Sequence, residues 1–208
     1  DICTRIEDSL TIGRLFDMDV IDIEGYKLER ESTRGCFVCG APGRACAAGR
    51  LHSVNELQIS TKEIIESYFY LHDKEYFSAL AVKSLLDEVH TTPKPGLVDY
   101  SNNGSHKDMD IQLFIKSANA LKPYFEECFS IGKNTAILSP SEVFPLLRNA
   151  GILAEQTMYN VTGGVNTHKG AIYSIGILCA SIGRLWTPEN PISEVLDICS
   201  ECANFVKT

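Results

Sequence analysis

The sequence lacks a hydrophobic run long enough to cross a membrane, and it lacks a net positive charge. No stretch of its 208 residues approaches the roughly 20 apolar residues that a spanning helix needs, and no signal-peptide pattern opens the chain. The net charge of −8 argues against a general nucleic-acid binder, because such proteins need a basic face to displace counterions from phosphates. We therefore expect neither a membrane nor a nucleic acid as partner. A small phosphorylated ligand, held by metal ions and a few lysines, remains compatible with an acidic protein.

The sequence also gives no sign of the secretion that would turn its cysteines into a disulfide framework. Eight cysteines are present, but such frameworks belong to oxidising compartments. Four of them stand in apolar, helix-like surroundings and are interpreted as small buried hydrophobes: Cys128, Cys179, Cys199 and Cys202. We therefore expect a reduced, cytoplasmic protein.

The character of the chain changes near residue 58. Residues 1–58 are rich in Gly, Cys and short alternating runs, which predict a strand over 14–21, a turn at Glu24-Gly25 and a return strand over 26–30. From Gln58 onward the periodicity is helical. The predicted fold class is mainly α, with a small α+β, Cys-rich appendage over 1–58 and an all-helical catalytic domain over 59–208.

The helical part divides into six predicted helices. Ser60 and Glu63 form a capping-box pattern that predicts the start of the first helix. The others are predicted over about 73–89, 108–129, 141–160, 168–185 and 191–206. The run 170–180 is small or apolar all round, which is typical of a central, closely packed helix.

Two polar segments interrupt this apolar body, and the first covers residues 92–110. Its prolines and glycines fix an irregular backbone that carries carboxylates, lysines and a histidine. Asp99 and Asp108 could hold Mg²⁺ through oxygen ligands while Lys94 or Lys107 meets phosphate. The alternative is a solvated loop in which Asp108 offsets the dipole of a following helix.

The second polar segment covers residues 162–170, where a glycine pair opens the apolar helix. Backbone N–H groups at a helix N-terminus favour a bound anion. The segment does not have the P-loop pattern, and an ordinary helix start with Thr167 as cap is the alternative. The candidate phosphate-binding residues here are Gly163, Gly164, Asn166, His168 and Lys169.

Both segments resemble the motifs of one enzyme family. Pro93-Lys94-Pro95-Gly96-Leu97-Val98-Asp99, with Asn103-Gly104 and His106-Lys107-Asp108-Met109, is similar to the leading motif of the triphosphoribosyl-dephospho-CoA synthases. Gly163-Gly164-Val165-Asn166-Thr167-His168-Lys169-Gly170 resembles the second motif of that family. The resemblance covers about residues 60–208. Members of the family run well past the position of Thr208, so we expect part of the usual catalytic domain to be absent.

The resemblance implies a pentosyltransferase. It would move the triphosphoribosyl group of ATP onto the ribose 2′-hydroxyl of 3′-dephospho-CoA and release adenine, giving the precursor of the prosthetic group of citrate lyase or malonate decarboxylase. An oxocarbenium-like transition state calls for a nearby carboxylate, and the attacking hydroxyl calls for a base. The roles that follow are Asp99 and Asp108 as metal or charge-stabilising carboxylates and His106 as base. Lys107, Lys169, Asn166 and the glycine amides would grip phosphate, with His168 near them.

Two other readings of these residues remain open. A Mg²⁺-dependent nucleotide phosphoesterase or ADP-ribose hydrolase would use the same carboxylates and lysines. Release of inorganic phosphate would distinguish it from the transferase, which releases adenine. A zinc-stapled, non-catalytic interaction module would bind zinc tightly and no nucleotide.

The Cys-rich leader carries its own ligand pattern, Cys36-x2-Cys39-x6-Cys46-x5-His52. A close cysteine pair followed by a third cysteine and a histidine is typical of a structural zinc site in a reduced compartment. The alternative is a set of reduced cysteines packed in a small core. Zinc and Mg²⁺ are thus the two metals that the sequence predicts.

The leader resembles the C-terminal end of a second enzyme. The stretch Gly13-Arg14-Leu15-Phe16-Asp17-Met18-Asp19-Val20, the cysteines and His52-Ser53 are similar to the apo-citrate-lyase phosphoribosyl-dephospho-CoA transferases over about residues 8–58. That family attaches the finished group to the acyl carrier subunit of citrate lyase, which would be its protein partner. Ala48 stands where an arginine is usual, with Arg50 two positions on, so the phosphate role of that arginine is left open. Because residue 1 is Asp, we expect a fusion of the two enzymes that is cut at both ends.

Overall fold

The protein is mainly α-helical in the computed structural model, which describes residues 2–30 and 33–207. No helix among these residues is long and apolar enough to cross a membrane. Extended pairing in the same part of the chain consists of isolated bridges, which confirms the predicted fold class. The helices are α1 (Ile2–Ser9), a short 3-10 helix (Ile12–Leu15), α2 (Gly43–Gly49), α3 (Val54–His90), α4 (Ile111–Ala120), α5 (Lys122–Asn134), α6 (Pro140–Thr162), α7 (Lys169–Leu185) and α8 (Val195–Val206).

The chain divides into two compact units, one ending at Leu71 and one beginning at His72. The predicted start of a helix at Ser60 is wrong, because α3 already begins at Val54. The separate helix predicted over about 73–89 is wrong as well, because α3 continues unbroken to His90. The sequence holds two successive Ser-x-x-Glu patterns, and the chain uses the first. The N–H of Ser53 donates to Glu56 Oε2 over 2.8 Å, and the N–H of Glu56 donates to Ser53 Oγ over 3.2 Å.

The strands predicted in the first unit are wrong, whereas the turn between them is confirmed. Ile21 and Lys27 form only an isolated antiparallel bridge. The turn is built by Asp22, whose Oδ1 accepts the N–H groups of Glu24 and Tyr26 at 3.0 and 2.8 Å. An alternating run needs a neighbouring strand to complete its ladder, and the described residues supply none beyond this bridge.

The core of the second unit lies where α5 and α7 cross. A Cβ at Gly132 would collide with the carbonyl oxygen of Ala180, and one at Gly183 would collide with that of Phe129. The two backbones therefore approach as closely as helices without intervening side chains allow. Around this crossing the buried core gathers side chains from α3 to α8, among them Leu85, Leu121, Phe125, Cys128, Val143, Met158, Ile172, Cys179 and Phe205.

The prediction of a single helix over 108–129 is also wrong, because two helices form there. Asp110 caps α4 by accepting the N–H of Leu113 over 2.9 Å. Pro123 in the first turn of α5 has no N–H to donate to the carbonyl of Asn119, and its ring crowds that carbonyl, so one helix cannot continue through it. The chain therefore turns at Leu121. The predicted helices over 141–160, 168–185 and 191–206 are confirmed, with small shifts at their ends.

The single tryptophan ties the end of α7 to α3 within the second unit. Trp186 is 2% exposed, and its Nε1–H donates to Asp73 Oδ2 over 2.8 Å. The ring of Phe129 contacts it edge-on, and Lys133 Nζ lies 4.7 Å from its centroid. The hydrogen bond gives the buried carboxylate of Asp73 a partner.

Gly183→Ala is expected to lower the free energy of unfolding by about 1–3 kcal/mol, because the new methyl group must push α5 and α7 apart. Gly170→Ala in the same helix is the matched control, since a Cβ there would meet nothing within 4 Å. This control should be neutral or stabilising by up to about 1 kcal/mol. Urea unfolding followed by circular dichroism measures both, and equal effects at the two positions would contradict the close crossing.

Candidate functional site

The loop after α3 is organised by the carboxylate of Asp99, which is 2% exposed. Oδ2 accepts from the Lys94 N–H and the Thr92 hydroxyl, both over 2.9 Å. Oδ1 accepts from the N–H groups of Ser101 and Asn102 over 2.8 and 2.9 Å. These hydrogen bonds, first among them the one from Lys94, lower the pKa of Asp99 to about 2. Both oxygens therefore hold the loop together, and a metal-ligand role for Asp99 stays a prediction.

Lys94 is held by a carboxylate that the sequence did not single out. Its Nζ lies 2.8 Å from Oε1 of Glu88, near the end of α3, and its side chain is only 14% exposed. The negative charge of Glu88 also acts on His168, where it opposes the effect of burial on the pKa. Glu88 thus links the two polar segments electrostatically.

His106, Lys107 and Asp108 form the open side of the same loop. His106 Nδ1 lies 3.9 Å from Asp108 Oδ1, which is too long for a hydrogen bond. The Asp108 side chain is 64% exposed, and Lys107 is exposed as well. Asp110, not Asp108, caps α4. These three side chains are therefore accessible to a ligand.

His168 is buried against α4, four residues after the glycine pair. Its Nδ1 lies 2.9 Å from Ser117 Oγ, which itself accepts the Thr167 hydroxyl over 2.8 Å. Since Ser117 then donates to Nδ1, we assign the ring proton to Nε2. The ring of Phe114 packs edge-on at 5.1 Å, and burial lowers the pKa of His168 to about 4.

The Nε2 atom of His168 is buried and has no hydrogen-bond partner among the described residues. Buried polar atoms in folded proteins nearly always have partners, so one without a partner calls for an explanation. The Nε2–H group of His168 is a neutral donor held in a fixed position, so it suits a hydrogen bond to an acceptor atom of a ligand. This atom is the clearest mark of a binding site in the second unit.

The glycine pair ends α6, so the expectation that it opens α7 is wrong. Gly163 and Gly164 adopt positive φ values of 68° and 93°. Both donate their N–H groups to the carbonyl of Tyr159. The N-cap position of α7 is His168, and Asn166, two residues before it, accepts the Lys169 N–H over 3.1 Å. The glycine amides close a helix end in this conformation, and their role in phosphate binding stays a prediction.

Lys169 turns away from His168 and towards α6. Its Nζ lies 3.1 Å from Glu155 Oε2, and this carboxylate raises the pKa of Lys169. Both residues line a pocket of about 400 Å³ between α6 and α7, together with Arg148 and Tyr173. Such a volume is within the range of small-molecule sites. The structure thus brings His168 close to the first polar segment through α4 but directs Lys169 to a separate pocket.

The predicted zinc ligands come together in the first unit. Sγ of Cys36, Cys39 and Cys46 and a ring nitrogen of His52 all lie within 4.8 Å of one another. Backbone N–H groups, first that of Cys39, lower the pKa of Cys36 to about 7, while the neighbouring Cys39 raises that of Cys46 to about 11. Asp99 and Asp108 join no comparable group of three ligating side chains in the residues that the structure describes.

Both polar segments lie inside the region that matches a known family. Residues 74–206 match the model of the family described as "ATP:dephospho-CoA triphosphoribosyl transferase". The chain belongs to this family. Residues 1–68 match the model described as "Apo-citrate lyase phosphoribosyl-dephospho-CoA transferase". The two resemblances drawn from the motifs are thereby confirmed.

Relatives of this triphosphoribosyl transferase family extend well beyond the chain. "Protein CitXG" of Haemophilus influenzae is 38% identical over 212 residues, which cover 98% of this chain and 45% of that protein. "Protein CitXG" of Leuconostoc mesenteroides is 36% identical and covers 95% of this chain and 44% of its own length. The "2-(5''-triphosphoribosyl)-3'-dephosphocoenzyme-A synthase" of Haemophilus ducreyi is 40% identical over 147 residues, or 71% of this chain and 45% of that protein. The chain therefore spans less than half of these relatives. No solved structure matches it significantly.

Sequence reasoning missed Glu88, Ser117 and Arg148, which the structure places beside the predicted residues. Glu88 lies in α3, and only its ion pair with Lys94 shows its position beside the loop. Ser117 carries no motif, and only the packing of α4 on His168 shows its position. Arg148 lies in α6, where an exposed arginine is unremarkable in sequence. The sequence held one weak indication, which is that opposite charges stand six residues apart on either side of the end of α3, at Glu88 and Lys94.

His168 should make folding stability fall as pH falls from about 6.5 to about 4. The folded state keeps the ring neutral down to a pKa of about 4, whereas the unfolded chain takes up a proton near 6.5. The unfolded state then binds more protons throughout this window, so acidification favours unfolding. His168→Gln should remove this component of the slope, whereas His90→Gln should retain it. Histidine NMR titration should show a neutral ring with the proton on Nε2 at pH 6, and a protonated ring at that pH would contradict the assignment.

Proposed function

We propose that the helical unit transfers the triphosphoribosyl group of ATP to the 2′-hydroxyl of 3′-dephospho-CoA and releases adenine. Family membership over residues 74–206 supports the proposal. The observation that supports it is the packing of His168 against Ser117 of α4, the helix whose cap, Asp110, directly follows the first motif. His168 of the second motif and the loop of the first motif are thus joined through one helix.

The reaction replaces one bond at the anomeric carbon of the ATP ribose. The bond from this carbon to the adenine nitrogen breaks, and a bond to the 2′-oxygen of the acceptor forms. The acceptor hydroxyl loses a proton, and the departing adenine takes one up. We assign the hydroxyl proton to His106, whose ring is accessible and whose Nδ1 lies 3.9 Å from Asp108 Oδ1. His168, neutral and with Nε2–H free, suits a hydrogen-bond donor to adenine or a phosphate oxygen.

The triphosphate needs cationic groups that hold it intact. Lys169 and Arg148 line one pocket, while Lys94 and Lys107 lie on the loop of the first motif. Lys94 and Lys169 are paired with Glu88 and Glu155, so phosphate would exchange for a carboxylate at each. Each lysine therefore has a carboxylate partner before ATP binds and a phosphate partner afterwards.

Mg²⁺ fits the loop at Asp108 better than at Asp99. Mg²⁺ commonly takes one or two carboxylates and completes its shell with phosphate oxygens and water. The exposed carboxylate of Asp108 can supply this ligand, while Asp99 would have to give up hydrogen bonds that hold the loop. The ion would supply charge neutralisation at the phosphates.

We further infer that the first unit belongs to the enzyme that attaches the finished group to the acyl carrier subunit of citrate lyase. The match of residues 1–68 supports this inference. Because regions of both families lie in one chain, we favour the prosthetic group of citrate lyase over that of malonate decarboxylase as the final product. The free state of the eight cysteines supports a cytoplasmic setting.

Lys169→Ala should weaken ATP binding about 10-fold or more, equivalent to about 1.4 kcal/mol, because the pocket loses a phosphate partner. Calorimetric titration of ATP with Mg²⁺ into the full chain measures the change. Lys83→Ala is the matched control, since Lys83 also pairs with a carboxylate but lies on an exposed face of α3. Unchanged affinity in Lys169→Ala would show that ATP does not bind in the pocket between α6 and α7. Lys94→Ala would then test whether ATP binds at the loop after α3.

Product analysis separates the transferase from a phosphoesterase. With ATP and 3′-dephospho-CoA, the protein, extended to the length of its relatives, should release adenine and no inorganic phosphate. Asp108→Asn should keep the fold and lower turnover by about 100-fold or more, because the ion that neutralises the phosphates loses its carboxylate ligand. Turnover that persists in Asp108→Asn would contradict its role, and phosphate release would contradict the reaction.

A further inference from the structure

Four metal-ligating side chains of the first unit converge on one point. Sγ of Cys36, Cys39 and Cys46 and a ring nitrogen of His52 lie within 4.8 Å of one another. Within residues 2–30 and 33–207, no second group of three or more Cys, His, Asp or Glu side chains does so. We propose that these four residues bind one structural Zn²⁺ ion. The site is independent of the transferase reaction proposed for the helical unit.

The separation of two of the sulfur atoms is close to that around a tetrahedral ion, and no two of the four donor atoms lie more than about 1 Å beyond that separation. With Zn–S bonds of about 2.3 Å, two sulfur ligands of a tetrahedron lie about 3.8 Å apart. Cys39 Sγ and Cys46 Sγ are separated by 3.5 Å, far beyond a disulfide bond of about 2.05 Å. The cysteines are free thiols. Small side-chain rotations therefore suffice to close the site around a metal.

His52 provides an observation that is independent of the cysteine spacing. Its Nε2 atom is buried and has no hydrogen-bond partner among the described residues. A buried ring nitrogen without a partner destabilises the fold, because it has lost its water. A metal ion beside the three sulfur atoms supplies the missing partner. Packed cysteines alone would leave this nitrogen unexplained.

The backbone around the first pair presents hydrogen-bond donors to sulfur. The N–H of Val38 points to Cys36 Sγ over 3.4 Å. The N–H of Gly40 closes the turn by donating to the Cys36 carbonyl over 2.8 Å, and Gly40 has a φ of 77° that favours glycine. N–H donors stabilise the thiolate, which is the form that binds zinc. The turn is thus arranged for an anionic sulfur.

The first unit has little else to hold this segment together. Among its described residues, Cys46 is the one hydrophobic side chain that is buried. The ligands come from the turn at 36–40, from the seven-residue α2 and from His52, which directly precedes the capping box of α3. A metal that joins these pieces adds folding free energy where an apolar core cannot. Four protein ligands leave no open position for substrate or water, so the role is structural.

The full chain, purified with reductant, should contain about one zinc ion per molecule by elemental analysis. Replacement of zinc by Co²⁺ should give intense visible bands and thiolate-to-cobalt charge transfer, the signature of a tetrahedral site with sulfur ligands. Cys39→Ser and His52→Gln should lose stoichiometric zinc. Cys199→Ser should retain both the zinc and the cobalt spectrum, because Cys199 of α8, predicted from the sequence to be buried, is exposed and lies outside the cluster.

Metal removal provides a second test that does not depend on variants. A strong chelator should increase hydrogen exchange over residues 33–53 and leave the unit from His72 onward unchanged. Absence of zinc in the unmodified protein together with a cobalt spectrum lacking charge transfer would overturn the proposal. A Cys39–Cys46 disulfide in protein prepared anaerobically with zinc would overturn it as well. Neither result bears on ATP binding, so the two proposals fail separately.

Discussion

The close crossing of α5 and α7 is the constraint on which the second unit depends. Gly132 and Gly183 allow backbone to meet backbone, and the hydroxyl of Tyr124 uses the space above Gly176 to reach the carbonyl of Ile172 over 2.8 Å. These contacts fix where α7 begins, and with it the positions of His168 and Lys169. The polar residues of the second motif therefore owe their geometry to glycines that bind nothing themselves.

The sequence predicts the helices of this unit well where apolar periodicity is long and bounded by clear caps. The helix around residues 170–180 is buried as its composition implies. The failures have local causes. Pro123 divides one predicted helix into α4 and α5. The sequence offers two Ser-x-x-Glu patterns near the start of α3, and apolar periodicity cannot show which of them caps the helix. The alternating run before Asp22 resembles a strand, but a strand forms only with a partner, and partners are a property of the tertiary structure.

The candidate site could be predicted as residues but not as an arrangement. Spacing alone suggested that the four zinc ligands lie together, because they are close in the chain. The two polar segments are separated by about half the helical unit, so no local rule could show that His168 faces Ser117 while Lys169 faces Glu155. Asp99 illustrates the same limit. A carboxylate that binds metal and one that holds a loop look identical until its hydrogen bonds are known.

The hydrogen bond between Trp186 and Asp73 gives the protein an internal optical label. The chain has one tryptophan, and its indole is buried in the helical unit with a carboxylate at one edge and the Lys133 ammonium over its face. Its fluorescence is therefore sensitive to the charges and packing at the α3–α7 junction. Because residues up to Leu71 contain no tryptophan, the tryptophan emission reports unfolding of the unit that begins at His72 and does not report unfolding of the first unit.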